Sequence, residues 1–234
     1  MTTGRKYGAA VAFLVSVAAG ASAVADTVQL NPSKDNTLYE DPFGGLSNGQ
    51  GQHFFVGRTN GGSGLIRRGL IAFDVVGNIP AGSTIESVVL TLHLSQAISL
   101  ETEIDIHQVL QDWGEGASMA LGEEGGGAPS EPGDATWLHT FFDNQFWTTQ
   151  GGDFACAVSG STVVSELGFY AFDSMLNPGL VNDVQQWLDQ PDANFGWGLQ
   201  VSDESIRPSA KRFDTRENSN PDFRPVLAVT FTTR

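Results

Sequence analysis

The sequence predicts an all-β protein, an antiparallel, jelly-roll-like β-sandwich with one short helix. Two apolar, β-branched runs at 65–75 and 85–94 show near-alternating polarity and flank a Gly-Asn-Ile-Pro-Ala-Gly turn. Further short strand-like segments follow along the chain, separated by turns rich in Gly, Asn and Pro. Many short strands at such spacing are typical of a sandwich.

Ten strands are expected, and alternation within them assigns their faces. In chain order they are Thr27–Asn31, Leu38–Glu40, His53–Gly57, Gly69–Val75, Ile85–Leu94, Glu103–Leu110, Gly168–Phe172, Gly196–Val201, Lys211–Thr215 and Pro225–Thr232. Successive residues of a strand point to opposite faces of the sheet. Alternate residues from Val88 to Leu94 are therefore expected in the core, with Thr91 and His93 on the polar face.

The helix is expected after the Asn-Pro-Gly at 177–179. Four apolar residues then follow at spacings of three and four: Leu180, Val184, Trp187 and Leu188. Pro178 at the start and Pro191 beyond the last turn are typical helix boundaries. A lone amphipathic helix in a sandwich most often closes one open end of the core, so Trp187 is interpreted as a core residue.

Residues 1–25 have the layout of a secretory signal peptide, and residues 26–234 are expected to form a single β-sandwich domain. Arg5 and Lys6 precede an uncharged apolar stretch, and small residues up to Ala25 offer an A-x-A cleavage pattern. The alternative, a membrane anchor, is disfavoured because the apolar run falls short of the roughly 20 residues that a span needs. The protein is therefore predicted to be secreted, with no membrane insertion.

The net charge, the cysteine count and the absence of enzyme motifs exclude several classes of function and one kind of covalent bond. Loss of Arg5 and Lys6 with the signal peptide changes the net charge from −15 to −17, so binding to nucleic-acid phosphates is not expected. The single cysteine, Cys156, excludes an internal disulfide and is interpreted as a buried small hydrophobe, with intermolecular pairing as the alternative. Motifs of the type G-x-S-x-G, H-E-x-x-H or a phosphate loop do not occur.

A long insertion at about 113–162 is rich in glycine, acidic residues and aromatic residues. Long loops in compact domains are usually functional or disordered, and the Gly122–Gly133 half is expected to be mobile. Sugar rings stack on exposed aromatic faces, so Trp137, His139 and Trp147 are candidate ligand-binding residues, with Trp137 or Trp147 as the member of the group to expect in solvent. The alternative is that these aromatics form a satellite core under the loop.

Basic residues concentrate in two strands, at positions Arg67, Arg68, Lys211, Arg212 and Arg216. Arg212, Asp214 and Arg216 fall on one strand face. One interpretation is a ladder of ion pairs that joins the strand at 69–75 to the strand at 211–215. The other is a cationic strip in which Arg212 and Arg216 bind the carboxylates of an acidic polysaccharide.

A structural Ca²⁺ site is a further hypothesis for the N-terminal segment. Its four candidate ligands are Asp35, Asn36, Glu40 and Asp41. Hard oxygen ligands at short spacing suit Ca²⁺, although Asn36 and Asp41-Pro42 also make ordinary turns.

In order along the chain, nine segments resemble an extracellular β-sandwich family named for its DNRLRE motif. They are DNTLYE (35–40), RRGLIAFDV (67–75), IPAGSTIESVVLTL (79–92), VLQDWGEG (109–116), GDATWLH (133–139), LVNDVQQWLD (180–189), NFGWGLQ (194–200), AKRFDTREN (210–218) and RPVLAVTF (224–231). The family is similar to alginate-type carbohydrate-binding modules, and the resemblance implies a secreted, non-catalytic module. The chain departs from the family in being expected to stand alone, and in having Thr37 and Tyr39 where the family motif has arginines.

Three functions from different classes follow from these observations. The first is a secreted, non-catalytic module that binds extracellular polysaccharide or matrix glycan, including acidic glycans, with Ca²⁺ as a stabiliser. The second is a structural or adhesive protein of the cell surface or matrix, which assembles through exposed strand edges. The third is a polysaccharide lyase or hydrolase, which needs a deep cleft that holds an acid–base pair. The sequence leaves the oligomeric state open.

Overall fold

The computed structural model describes residues 1–2, 25–62, 65–98 and 101–233. Nearly all of the predicted signal peptide, residues 1–25, lies outside the described residues. The described strands are β1 (Ala25–Leu30), β2 (Pro32–Tyr39), β3 (Leu46–Ser47), β4 (His53–Arg58), β5 (Ile66–Phe73), β6 (Thr84–Ala97), β7 (Thr102–Gln108), β8 (Ala128–Pro129), β9 (His139–Phe141), β10 (Gln145–Phe146), β11 (Gly160–Val164), β12 (Gly168–Asp173), β13 (Trp197–Val201), β14 (Lys211–Asp214) and β15 (Val226–Thr232). One helix, α1 (Gly179–Asp189), accompanies them, with short 3₁₀ turns at Pro191–Ala193 and Pro221–Phe223.

Eleven of these strands form one antiparallel sheet that curls over itself, which confirms the predicted all-β sandwich. The order is β1-β15-β6-β14-β4-β5-β13-β7-β11, with β12 on the other edge of β6 and β2 on the other edge of β5. Strand β4 links the two halves, because it pairs with β14 up to Val56 and with β5 from Gly57 onwards. Gly57 has a φ of 106°, and a Cβ there would lie 2.7 Å from the Ser209 carbonyl oxygen, so only glycine fits this bend.

Strands β5 and β6, which the sequence places on either side of a tight turn, do not pair with each other. Strand β5 pairs with β2, β4 and β13, whereas β6 pairs with β12, β14 and β15. The turn that joins them therefore crosses from one half of the sheet to the other. The Asp74 carboxylate accepts a hydrogen bond from Gly77 N at 2.9 Å, and Ile79 is buried in the core beneath the turn.

The core lies between the two halves of the sheet and follows the predicted alternation. In β6 the four predicted core residues are fully buried, and the residues between them are partly exposed: Val88, Leu90, Leu92 and Leu94 against Val89, Thr91 and His93. Burial of each aliphatic side chain contributes about 1.5–3 kcal/mol as an upper estimate. Ile104 and Ile106 of β7 complete this core from the opposite half.

Helix α1 covers one end of the core, as predicted. Trp187 is buried and its ring lies 4.6 Å from that of Trp197. Between them, Asp183 accepts hydrogen bonds from the Trp197 indole N–H at 2.7 Å and from Gln108 at 2.8 Å. Burial raises the pKa of Asp183, partly offset by these bonds. Within the described ranges, no helix is both long and apolar enough to cross a membrane.

All ten predicted strands overlap observed ones, although Leu38–Glu40 shares only two residues with β2, and five other described strands were not predicted. The additional strands are β3, β8, β9, β10 and β11. Four of them have only two or three residues, which is too short for alternation to be recognised in the sequence. Three of them, β8, β9 and β10, lie in the 113–162 insertion and give it a structure of its own.

Candidate functional site

The insertion packs its tryptophans inward and forms a second core against β2 and β5. The buried members of this second core are Leu38, Leu70, Ala72, Val109, Trp113, Ala135, Trp137 and Trp147. Trp137 is 7% exposed and Trp147 is 5% exposed. The indole N–H of Trp147 donates to the Thr136 carbonyl at 2.9 Å. The exposed tryptophan that a sugar-binding platform would need is therefore found at neither position, and the interpretation of a satellite core is confirmed.

His139 is also buried, and the exposed aromatic of this region is a phenylalanine. The His139 Nδ1 lies 2.9 Å from the Thr136 hydroxyl, and burial lowers the pKa of the imidazole. Its ring contacts Phe142 and Phe146 at centroid distances of 5.1 and 4.5 Å. Phe146 is 58% exposed. Any aromatic platform for a sugar ring at this end of the insertion is thus Phe146 rather than Trp137 or Trp147.

The four candidate Ca²⁺ ligands do not form one site. Asp35 and Asn36 lie in strand β2 and not in a turn, and both are buried. The Glu40 carboxylate accepts from the backbone N–H groups of residues 65 and 66 at 2.7 and 2.9 Å, while Asp41 accepts from Gly45 at 2.6 Å. Asn36 Oδ1 accepts from the backbone N–H groups of residues 37 and 48. Each predicted ligand is therefore used locally, apart from Asp35.

Asp35 instead meets two carboxylates that the sequence did not suggest. Asp35 from β2, Glu115 from the insertion and Glu217 from the segment after β14 each place one oxygen within 4.8 Å of the others. We refer to these three residues as the acidic cluster. Glu115 also accepts from the backbone N–H of Asp35 at 2.9 Å, which holds the insertion against the sheet.

Arg216, a predicted glycan contact, is bound to the acidic cluster. Its Nε lies 2.8 Å from Glu115 Oε1 and 2.9 Å from Glu217 Oε1, and its Nη2 donates to Glu115 Oε2. Its backbone N–H donates to Asp35 Oδ2 at 2.9 Å. The nearby carboxylates raise the pKa of Arg216 further. Arg216 therefore serves as the internal counter-ion of the cluster.

The positive charge of Arg216 does not offset the electrostatic repulsion among the three carboxylates of the acidic cluster. Burial, followed by the charge of Glu217, raises the pKa of Asp35 well above its ordinary range. Burial and the charge of Glu115 raise the pKa of Glu217 to about 7. Two buried carboxylate oxygens, Asp35 Oδ1 and Glu217 Oε2, have no hydrogen-bond partner.

Arg212 lies in a separate place, a cavity of about 140 Å³ between β14 and the tip of the insertion loop. We call this the cationic pocket; it is lined by Phe55, Thr59, Arg67, Gln96, Ile98, Glu123, Gly125, Ala210, Lys211 and Arg212. Arg212 contacts Glu123 at 2.5 Å, and Glu123 is 80% exposed. Lys211 is only 1% exposed, and burial lowers its pKa to about 8.

The predicted ion-pair ladder between the two basic strands is not formed, because β4 lies between β5 and β14. Arg68 of β5 and Arg212 of β14 reach acidic side chains on loops instead, whereas Arg67 donates to the Gly125 carbonyl. Arg68 binds both carboxylate oxygens of Glu204 at 2.8 Å each and donates to the Gly151 carbonyl at 2.8 Å. Its guanidinium also lies 5.1 Å from the Trp137 ring centroid. These contacts fix the insertion to β5.

A line of alternating imidazoles and carboxylates was missed by the sequence analysis. Asp214 lies 2.5 Å from His93 Nδ1 and 3.3 Å from His53 Nε2, and His53 Nδ1 lies 3.3 Å from Glu124. The register of β4 and β14 pairs His53 with Asp214, and His93 approaches from β6 on the other side of β14. A histidine and an acidic residue at paired strand positions would have indicated this contact in the sequence. That indication can be used only when the neighbouring strands are already known.

Cys156 is exposed and carries a free thiol, so its interpretation as a buried small hydrophobe is wrong. It lies in the loop that leads into β11, where the flanking carbonyls of Ala155 and Ala157 lie 2.9 and 3.1 Å from His107 Nδ1. These backbone contacts anchor the loop without use of the cysteine side chain.

Comparison of the chain with family models and with curated proteins found no match. The class of the protein therefore rests on its architecture, which is an antiparallel β-sandwich with a packed aromatic insertion. Two charged features of opposite sign distinguish it within that class. They are the cationic pocket around Arg212 and the acidic cluster around Asp35.

Proposed function

We propose that this protein is a secreted, non-catalytic β-sandwich module that binds an acidic extracellular polysaccharide. Glycan carboxylates would enter the cationic pocket. The observation that carries the proposal is that Arg67, Lys211 and Arg212 line one cavity in a chain whose net charge is −15. Three basic side chains at one place in so acidic a chain favour an anionic ligand. The resemblance to the DNRLRE family implies a secreted, non-catalytic module.

The wall of the pocket is mostly apolar, and Arg212 is the group in it that best suits a carboxylate. The guanidinium of Arg212 presents N–H groups in a planar fork that matches two carboxylate oxygens. Lys211 is a second basic side chain in the wall of the pocket, and it is buried. A volume of about 140 Å³ is below the 300–1,000 Å³ of sites for drug-sized ligands. It suits one acidic group and part of a sugar ring, with the rest of the chain lying outside.

The contact between Arg212 and Glu123 resembles the proposed complex. Glu123 places a carboxylate against Arg212 at 2.5 Å, although its side chain is largely in solvent. Exposed ion pairs contribute only about 0–1 kcal/mol. A glycan carboxylate can therefore displace Glu123 at small cost, and Glu123 then turns into solvent.

The test is a titration of the protein with uronate oligosaccharides, with neutral oligosaccharides as the comparison. We expect Arg212→Ala to weaken uronate binding at least about tenfold, which corresponds to a lost charged hydrogen bond of 1.5–3 kcal/mol. Arg207→Ala is the matched control, because Arg207 is exposed and lies outside the pocket. Glu123→Gln should strengthen binding, since it removes the competing carboxylate.

Two outcomes would contradict the proposal. One is a folded protein that binds no uronate at any concentration tested. The other is uronate binding that Arg212→Ala and Arg207→Ala weaken equally, which would indicate only a non-specific effect of net charge.

The second candidate is a structural or adhesive role, favoured by the burial of Trp137 and Trp147 together with the edge of the sheet. Strand β1 pairs only with β15 within the described part of the chain, and most of its residues are exposed. An open edge can template pairing with another chain. Self-association that depends on protein concentration in sedimentation experiments, together with silence toward all glycans, would favour this role.

A further inference from the structure

Three carboxylates from distant parts of the chain meet beneath the insertion and are only partly neutralised. We propose that the acidic cluster of Asp35, Glu115 and Glu217 binds a divalent cation, and that Ca²⁺ is the ion that fits it best. The site differs from the four-residue set that the sequence suggested, since only Asp35 belongs to both. It is independent of the cationic pocket and of the glycan-binding proposal.

The spacing of the oxygens suits calcium. One oxygen from each carboxylate lies within 4.8 Å of the others. Ca²⁺ holds its oxygen ligands at 2.3–2.6 Å, so ligands on opposite sides of the ion lie up to about 5 Å apart. Mg²⁺ holds ligands at 2.0–2.1 Å and demands near-ideal octahedral geometry. Ca²⁺ also accepts irregular geometry, as expected where ligands come from a strand, an insertion and a loop.

An orphaned oxygen points to a ligand independently of the clustering. Asp35 is fully buried, and while its Oδ2 accepts from Arg216 N, its Oδ1 has no hydrogen-bond partner. Buried carboxylate oxygens are almost always satisfied, and an unpaired one calls for an ion, a water or a functional reason. Glu217 Oε2 is a second buried oxygen without a partner in the same cluster.

The charge balance of the cluster fits a divalent ion. When all three carboxylates are ionised, they exceed by two charges the one guanidinium bonded to them, that of Arg216, and a divalent ion supplies two positive charges, while Arg224 acts on Glu217 from nearby. Glu217 also lines a cavity of about 520 Å³ together with Gln50 and Gln52. Of the three carboxylates, Glu217 is the one that lines this cavity. Arg68 and Glu204 offer a contrast, because there one arginine already matches one carboxylate.

The experiment is a calorimetric titration of CaCl₂ into the full protein after treatment with EDTA, with thermal unfolding measured in parallel. We expect one Ca²⁺ per chain, a melting temperature that rises with Ca²⁺, and weaker binding of Mg²⁺. Glu217→Gln is the informative variant, since Glu217 is only partly buried and the change preserves its shape. Loss of one of three anionic ligands should weaken Ca²⁺ binding at least about tenfold.

The control variant changes a carboxylate outside the acidic cluster, and two results would overturn the Ca²⁺ proposal. Glu131→Gln removes an exposed carboxylate of the same insertion outside the cluster and should leave Ca²⁺ affinity unchanged. The proposal is overturned if the folded protein shows neither heat nor a thermal shift at about 10 mM Ca²⁺, tenfold above the weakest extracellular sites. It is equally overturned if Glu217→Gln binds Ca²⁺ as tightly as Glu131→Gln does. Both results are independent of whether any glycan binds.

Discussion

Replacement of Trp137 by alanine should destabilise the fold rather than remove a sugar-binding surface. Trp137 is 7% exposed in the second core, and its ring lies 5.1 Å from the Arg68 guanidinium. Loss of a buried Trp to Ala costs about 3–5 kcal/mol, because the cavity that remains can relax only in part. Arg68 keeps its two bonds to Glu204, so little further penalty comes from an unpaired charge. We therefore expect a loss of about 3–5 kcal/mol in the free energy of unfolding.

Urea unfolding followed by tryptophan fluorescence and circular dichroism measures this loss. For a slope near 2 kcal/mol/M, a loss of 4 kcal/mol moves the midpoint down by about 2 M. Trp137→Phe serves as the milder variant if the alanine form does not fold, and Phe146→Ala is the exposed aromatic control, with an expected cost near 0.5 kcal/mol. A Trp137→Ala protein of unchanged stability that has lost glycan binding would refute the reasoning, since it would place Trp137 in a binding surface.

Two further predictions concern buried polar groups. The pKa of Lys211 is about 8 in the folded protein against an ordinary 10.5, so the unfolded chain binds more protons between these values. The free energy of unfolding should therefore rise with pH from 8 to 10.5. Uronate affinity should fall over the same range as Lys211 loses its charge. The variant Lys211→Met should show neither trend. Asp183→Ala leaves the buried indole N–H of Trp197 without its 2.7 Å acceptor, and should cost about 1–3 kcal/mol by urea unfolding. Asp189→Ala at the exposed end of the same helix is its control and should cost less than about 0.5 kcal/mol.

The strands could be predicted because their signal is local. In β6, alternation over Val88 to Leu94 defines both the element and its buried face without reference to any other part of the chain. The partners of a strand are not local. The turn between β5 and β6 has the residues of a tight reversal, yet its two strands belong to opposite halves of the sheet. Turn chemistry determines how the backbone bends, but not which edge supplies the next hydrogen bonds.

The sequence indicated residues of the two candidate sites only where the residue type alone suggests a binding role. Arg212 lies in the cationic pocket, and Asp35 belongs to the acidic cluster, as residue type suggested. The partners of Asp35 could not be foreseen, because Glu115 lies 80 residues away along the chain and meets it only through the folded insertion. The choice between exposed and buried tryptophans was left open by the sequence for a related reason. A dense aromatic loop has the same composition whether it covers its own core or presents rings to solvent.

The acidic residues of the insertion explain why a segment with the composition of a mobile loop is held in place. Its acidic side chains are used as hydrogen-bond acceptors for the sheet beneath it. Glu124, in the half expected to be mobile, is buried and accepts from the backbone N–H groups of Gln52 and His53 at 3.2 and 2.9 Å. The bonds from His53 and Asn48 lower the pKa of Glu124 despite its burial, so the carboxylate is held in the charged form. The same insertion supplies Glu115 to the acidic cluster and one wall of the cationic pocket. The negative charge of this segment is therefore part of what builds both candidate sites.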